Sequence, residues 1–92
     1  MPKLFNVGGY VIFFWSNEND EPIHVHIAIG DPNPNATKIW LTKSGGCIVA
    51  HNRSRIPQSD LNELFEVILD NHSYICDEWK KHFLVNTVRF YC

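Results

Sequence analysis

Four stretches in the first half of the chain have the composition of β-strands. Each is rich in β-branched, aromatic or aliphatic residues, and short polar segments with turn-forming residues separate them. The predicted strands cover residues 9–16, 23–29, 36–42 and 47–51. The first is apolar on both faces, so we expect both faces to be covered. Because the connections are short, the strands are expected to form an antiparallel meander.

The second predicted strand alternates aliphatic residues with two histidines. The aliphatic positions predict the face that packs on the core: Ile23, Val25, Ile27 and Ile29. Successive side chains of a strand point to opposite faces, so His24 and His26 share the other face. We expect both imidazoles to lie outside the packed interior, on that opposite face or at its margin.

Beyond Pro57 the apolar residues follow the period of a helix. The pattern predicts helix over residues 59–84, and Asp60 with Glu63 favours a capping box at its start. Weak helix formers occupy residues 71–73, so we expect a break or kink there. Trp79 is expected in the core. Residues 84–92 are either a further strand or a docked tail.

These predictions describe one domain over residues 1–92, of the α+β class. About four antiparallel strands form a meander, and a long or broken C-terminal helix packs on one face of the sheet. Ninety-two residues support a small but adequate core, and the apolar share of 45% is that of a globular chain.

Charge and cysteine content narrow the function classes. The net charge is −2, which argues against a sequence-blind nucleic-acid binder. Three cysteines without paired spacing do not make a disulfide framework, so we expect a reducing compartment and assign the protein to the cytoplasm. The absence of an 18-residue apolar run predicts that there is no membrane partner.

The strongest chemical feature is the pair His24 and His26. On a strand, side chains two residues apart lie roughly 6–7 Å from each other on one face. They could act as acid and base on one substrate, share a metal ion, or form a polar face without chemistry. A metal needs a third ligand, and no spacing singles one out among the available groups: His51, Asp31, Cys47 and Glu21. We therefore predict a catalytic pair and no metal or other cofactor.

A second feature lies between the last strand and the helix, where His51, Arg53 and Arg55 follow one another closely. Arginine with histidine suits the handling of a phosphate group, although a solvated loop has the same composition. Trp40 is a candidate base-stacking surface because its neighbours on that face are polar. We take these four residues as candidate binding residues. Cys47 is a weak candidate nucleophile.

The motifs resemble a small bacterial family filed as domain of unknown function 4160. The resemblance runs from Met1 to about residue 83 and rests on these positions: Met1 with Pro2, residues 9–15, Pro22, His24, His26, Gly30, Pro57 and Trp79. It implies an association with two-gene modules of the toxin–antitoxin type, and it brings no mechanism.

Two functional hypotheses follow, and whether the protein is an enzyme stays open between them. The first is a toxin-like effector that acts on RNA, with His24 and His26 as acid and base and Arg53 or Arg55 on the phosphate. The second is a non-enzymatic binding or inhibitor protein of phage or mobile-element origin that contacts a larger protein partner. A homodimer through an open strand edge is compatible with both.

Overall fold

A computed structural model describes residues 2–92. Five strands precede two helices: β1 Lys3–Val7, β2 Tyr10–Phe13, β3 His24–Ile29, β4 Thr37–Leu41, β5 Cys47–His51, α1 Gln58–Asp70 and α2 His72–Phe83. The strands form one antiparallel sheet in the order β1-β2-β3-β4-β5. The predicted α+β class and antiparallel meander are therefore confirmed. The strand number is five rather than about four.

The additional strand is β1, which pairs with β2 through a tight turn. Val7 pairs with Tyr10, and Gly8 in the turn has a φ of 59°. This left-handed conformation is open to glycine at little cost. β1 was missed because only its apolar residues Leu4, Phe5 and Val7 suggest a strand, and they do not alternate.

The helical segment divides near the predicted place. α1 ends at Asp70, Asn71 lies between the helices with φ −117°, and α2 begins at His72. The predicted capping box is wrong, because no side chain caps the start of α1. Asp60 instead accepts a hydrogen bond of 2.6 Å from the hydroxyl of Tyr10. No helix in residues 2–92 is long and apolar enough to cross a membrane.

The main core lies between the sheet and the two helices. Its fully buried members include Ile12, Ile23, Val25, Ile39 and Ile68, and Trp79 joins them as predicted. A smaller apolar cluster covers part of the opposite face: Val11, Phe13, Ala28 and Ala36, with Trp15 packed against them. Both faces of β2 are thus covered, as expected. Ile29 was wrongly assigned to the core, since it is 57% exposed at the end of β3.

Residues 84–92 are a docked tail rather than a strand. The tail is held by backbone hydrogen bonds and by apolar packing. Ile23 N–H donates to the carbonyl of Arg89 at 2.8 Å, and Val85, Val88 and Phe90 pack against the main core. Lys43 N–H donates to the carbonyl of Cys92 at 2.8 Å. Tyr91 stacks on Trp40 with ring centroids 4.9 Å apart. The tail therefore borders the end of β3 at which the two histidines begin.

Candidate functional site

Three side chains meet where the β2–β3 loop returns to the sheet. Oε2 of Glu18 lies 2.8 Å from Nε2 of His24 and 2.8 Å from Nε2 of His26. One donor atom from each residue lies within 4.8 Å of the other two. Glu18, His24 and His26 are called the Glu–His–His cluster below.

Local structure places each member of the cluster. His24 and His26 lie two residues apart in β3, so both side chains leave the same face. Glu18 reaches that face from the loop between β2 and β3. Its Oε1 accepts a hydrogen bond of 2.8 Å from Trp15 N–H, and its carbonyl accepts one from Glu21 N–H. These contacts hold the loop in a turn that directs the Glu18 carboxylate onto β3.

The shared face of the two histidines is as predicted, but their exposure is not. His24 is 0% exposed and His26 is 7% exposed. Trp40 and Trp79 each contact the His24 ring edge-on, with centroids 5.4 Å apart, and Phe13 stacks on His26. The expectation that the imidazoles lie outside the packed interior is therefore wrong. Aromatic side chains and the loop enclose them.

The hydrogen bonds define the tautomer of His24. Its Nδ1 lies 2.8 Å from the carbonyl oxygen of Pro22, and a carbonyl only accepts, so Nδ1 carries a proton. The other ring nitrogen, Nε2, faces the Glu18 carboxylate. Although this contact measures 2.8 Å, Nε2 makes no hydrogen bond of acceptable angle. We therefore describe it as an electrostatic contact and His24 Nε2 as a buried atom without a hydrogen-bond partner.

His26 makes the directed hydrogen bond of the cluster. Its Nε2–H donates to Oε2 of Glu18 at 2.8 Å. Its other ring nitrogen, Nδ1, is buried and has no hydrogen-bond partner within residues 2–92. The cluster thus holds two ring nitrogens that are not satisfied, which is costly in a buried environment.

The Glu18 carboxylate is stabilised in its charged form. Burial by itself raises the pKa of Glu18. The contacts from His24 and His26 and the Trp15 N–H outweigh burial and lower the pKa of Glu18 from 4.5 to about 2. The carboxylate is therefore a permanent negative charge between two imidazoles at neutral pH.

Comparison with known proteins adds a family to this geometry. A family model described as "Domain of unknown function (DUF4160)" matches residues 9–80. The chain belongs to the DUF4160 family. No curated protein and no solved structure matches the chain.

The DUF4160 family model matches fewer residues than the resemblance seen in the sequence, which runs from Met1 to about residue 83. The match begins after β1 and ends within α2, so it contains the whole Glu–His–His cluster but neither β1 nor the docked tail. The cluster is therefore part of the family domain. The tail contacts to Ile23 and Lys43 are made by residues outside that domain.

None of the third ligands considered from the sequence joins the two histidines of this DUF4160 domain. Glu21 forms an ion pair with Lys38 at 2.5 Å, and Asp31 is exposed in the next loop. His51 and Cys47 lie on β5, two strands away from β3. Sequence reasoning missed Glu18. The available signal was its place in the hairpin loop that leads into β3, since such a loop folds back over the strand.

The predicted basic residues of the DUF4160 domain lie together but apart from the cluster. Arg53 and Arg55 are exposed, and neither forms an ion pair within residues 2–92. The Asn52 side chain shapes their loop by accepting from Thr37 Oγ1 and Ile56 N–H. Burial, and then the nearby charges, with Arg53 the first of them, lower the pKa of His51. This loop is therefore a separate basic surface.

Two other candidates are less available than the sequence suggested. Tyr91 stacks on the Trp40 ring with the planes 8° apart, and Lys38 Nζ lies 4.2 Å from the ring centroid. An incoming base would have to displace these neighbours. Burial raises the pKa of the Cys47 thiol, which disfavours the thiolate that a nucleophile requires. All three cysteines are free.

Proposed function

We propose that the protein is a non-enzymatic binding protein that acts by contacting a larger protein partner. The observation that carries this proposal is the burial of both histidines. An acid–base pair for RNA must reach the ribose and phosphate, and a His24 ring with no exposed surface cannot do so without local opening. The family resemblance supports a cytoplasmic role within a module of the toxin–antitoxin type.

The edge of β5 supplies the contact surface. β5 is the last strand of the sheet and pairs only with β4 within residues 2–92, so one row of its backbone N–H and C=O groups faces outward. Ile48 is 43% exposed and Val49 is 38% exposed. An open edge with exposed aliphatic side chains suits the addition of an extended strand from another chain.

The surroundings of β5 indicate the chemistry of the partner segment. A shallow groove with mainly apolar walls adjoins the start of the strand, between Thr42, Cys47, Ile48 and Cys92. At the other end, Arg53 and Arg55 are exposed without carboxylate partners in the described chain. The partner segment is therefore expected to be extended and aliphatic, with an aspartate or glutamate at the end beside the arginines.

The test is a pull-down from native extract followed by affinity measurement with the identified partner. We expect one protein in stoichiometric amount. Ile48→Lys with Val49→Lys should weaken its binding at least about tenfold, because lysine opposes strand addition at an edge. Leu69→Lys is the matched control, since Leu69 is a similarly exposed aliphatic residue on α1. It should bind as the wild type does.

Four results would contradict the proposal. The first is the absence of a stoichiometric protein partner, and the second is unchanged affinity of the β5 variant. The third is cleavage of RNA by the purified protein that is lost in His26→Ala, which would favour the effector hypothesis. The fourth is self-association that the β5 substitutions abolish, which would identify a second copy, rather than a larger protein, as the occupant of this edge.

A further inference from the structure

The Glu–His–His cluster has the donor set of a transition-metal site. Two imidazole nitrogens and one carboxylate oxygen are ligands of zinc and of related first-row divalent ions. The two Nε2 atoms approach the same Oε2 of Glu18 at 2.8 Å. The convergence joins a loop residue to two residues of β3 and is not a consequence of strand geometry alone.

Backbone groups hydrogen-bond to the atoms of His24 and Glu18 that face away from the cluster, and such contacts commonly orient metal ligands. A metal-binding histidine commonly donates its second ring N–H to a carbonyl, and His24 Nδ1–H donates to the carbonyl of Pro22. The second oxygen of Glu18 accepts the Trp15 N–H, which leaves Oε2 toward the rings. His24 and Glu18 are thus each held by a backbone group on the side away from the cluster.

A buried nitrogen without a partner is the second, independent observation. His24 Nε2 is fully buried and makes no hydrogen bond, although it lies 2.8 Å from a carboxylate oxygen. Nε2 thus faces a carboxylate oxygen at contact distance without a directed hydrogen bond, and a metal ion coordinated by both atoms gives each of them a partner. The direction in which His24 Nε2 could form a bond, in the plane of its ring, is not aligned with Oε2 of Glu18. For bonds of about 2.0 Å, an ion shared by atoms 2.8 Å apart also lies off the line that joins them.

We propose that Glu18, His24 and His26 bind one divalent transition-metal ion of the zinc class. Small side-chain rotations bring the three donor atoms, now within 4.8 Å of one another, to the separation that a single ion requires. The ion offsets the Glu18 charge and satisfies His24 Nε2. It also links the β2–β3 loop to β3. This metal site is independent of the proposed partner surface at β5.

The test uses the full chain without a polyhistidine tag, after treatment with a chelator. Calorimetric titration with Zn²⁺ should give one equivalent bound, and Co²⁺ should give the absorption bands of a coordinated ion. Glu18→Gln and His26→Gln should each weaken Zn²⁺ binding at least about tenfold. His51→Gln removes a histidine from β5, outside the cluster, and should bind Zn²⁺ as the wild type does.

Two further readouts keep the test decisive if a cluster variant fails to fold. Zn²⁺ should raise the melting temperature of the wild type. It should also shift the NMR signals of the His24 and His26 ring nitrogens, while those of His82 stay in place. Wild-type uptake below about a tenth of an equivalent would overturn the proposal. Unshifted cluster histidines, or a folded Glu18→Gln variant with wild-type affinity, would overturn it as well.

Discussion

Oε2 of Glu18 lies 2.8 Å from Nε2 of His24, and the two residues belong to different parts of the β2–β3 hairpin. The same oxygen accepts a hydrogen bond from His26. One loop carboxylate therefore joins two buried rings of the central strand. Because all three side chains are largely withdrawn from water, loss of the carboxylate leaves two polar rings without their shared partner.

The first prediction concerns the stability of this cluster in the presence of a chelator. Glu18→Ala should lower the free energy of unfolding by about 2 kcal/mol, because it leaves the buried Nε2–H of His26 without an acceptor. Glu18→Gln should cost roughly half as much, since the amide oxygen still accepts from His26. Urea denaturation followed by tryptophan fluorescence measures both values.

Glu63→Ala is the control for this measurement, because Glu63 is exposed on α1 and makes no ion pair in the described chain. It should change the free energy of unfolding by less than about 0.5 kcal/mol. A Glu18→Ala variant that is as stable as this control would show that the carboxylate contributes nothing to the buried rings.

The second prediction concerns the docked tail. A chain that ends at Val88 lacks the carbonyl acceptors for Ile23 N–H and Lys43 N–H and the Tyr91 ring that stacks on Trp40. We expect the free energy of unfolding to fall by at least about 2–3 kcal/mol, from two backbone hydrogen bonds, one aromatic pair and the packing of Phe90 on the core. Chemical denaturation of the shortened and full chains provides the comparison.

Single substitutions in the tail separate the contributions of its residues to the free energy of unfolding. Tyr91→Ala should cost about 1 kcal/mol through the lost stacking. Thr87→Ala, at an exposed tail position, should be neutral within about 0.5 kcal/mol. Equal stability of the full and shortened chains would mean that the tail contacts do not contribute to folding.

The third prediction concerns alkaline pH and the pair Tyr10 and Asp60. The hydrogen bond to Asp60, followed by burial and the Asp60 charge, raises the pKa of Tyr10 above its usual 10.0. The neutral phenol is thus favoured in the folded state. Its contribution to stability is fully present below pH 10.0 and is lost as the pH rises through the raised pKa of Tyr10.

Tyr10→Phe tests this linkage. The variant should be less stable than the wild type by about 1 kcal/mol at neutral pH, because it lacks the hydroxyl that donates to Asp60. The difference should narrow above pH 10.0. Denaturant midpoints of both proteins across the alkaline range provide the measurement, and a difference that stays constant while both remain folded would refute the assignment.

The secondary structure was largely predictable from local pattern. Period-two alternation predicted β3 and β4, a run of apolar residues predicted β2, and the helical stripe predicted α1 and α2. Weak helix formers predicted a break within residues 71–73, and the helices separate at Asn71. These patterns arise because one side of each strand or helix packs against the core, so a single sequence is enough to predict the elements from them. β1 has no such pattern, and its place in the sheet follows from pairing with β2.

The sequence by itself determined that His24 and His26 share one face of a strand, because side chains alternate along an extended backbone. Only the tertiary structure decided that this face is enclosed and that Glu18 completes it. Enclosure depends on Trp40 and Trp79, which lie far apart in the chain and meet at the His24 ring. The position of Glu18 depends on the conformation of the β2–β3 loop, and no periodic pattern of apolar and polar residues specifies a loop conformation.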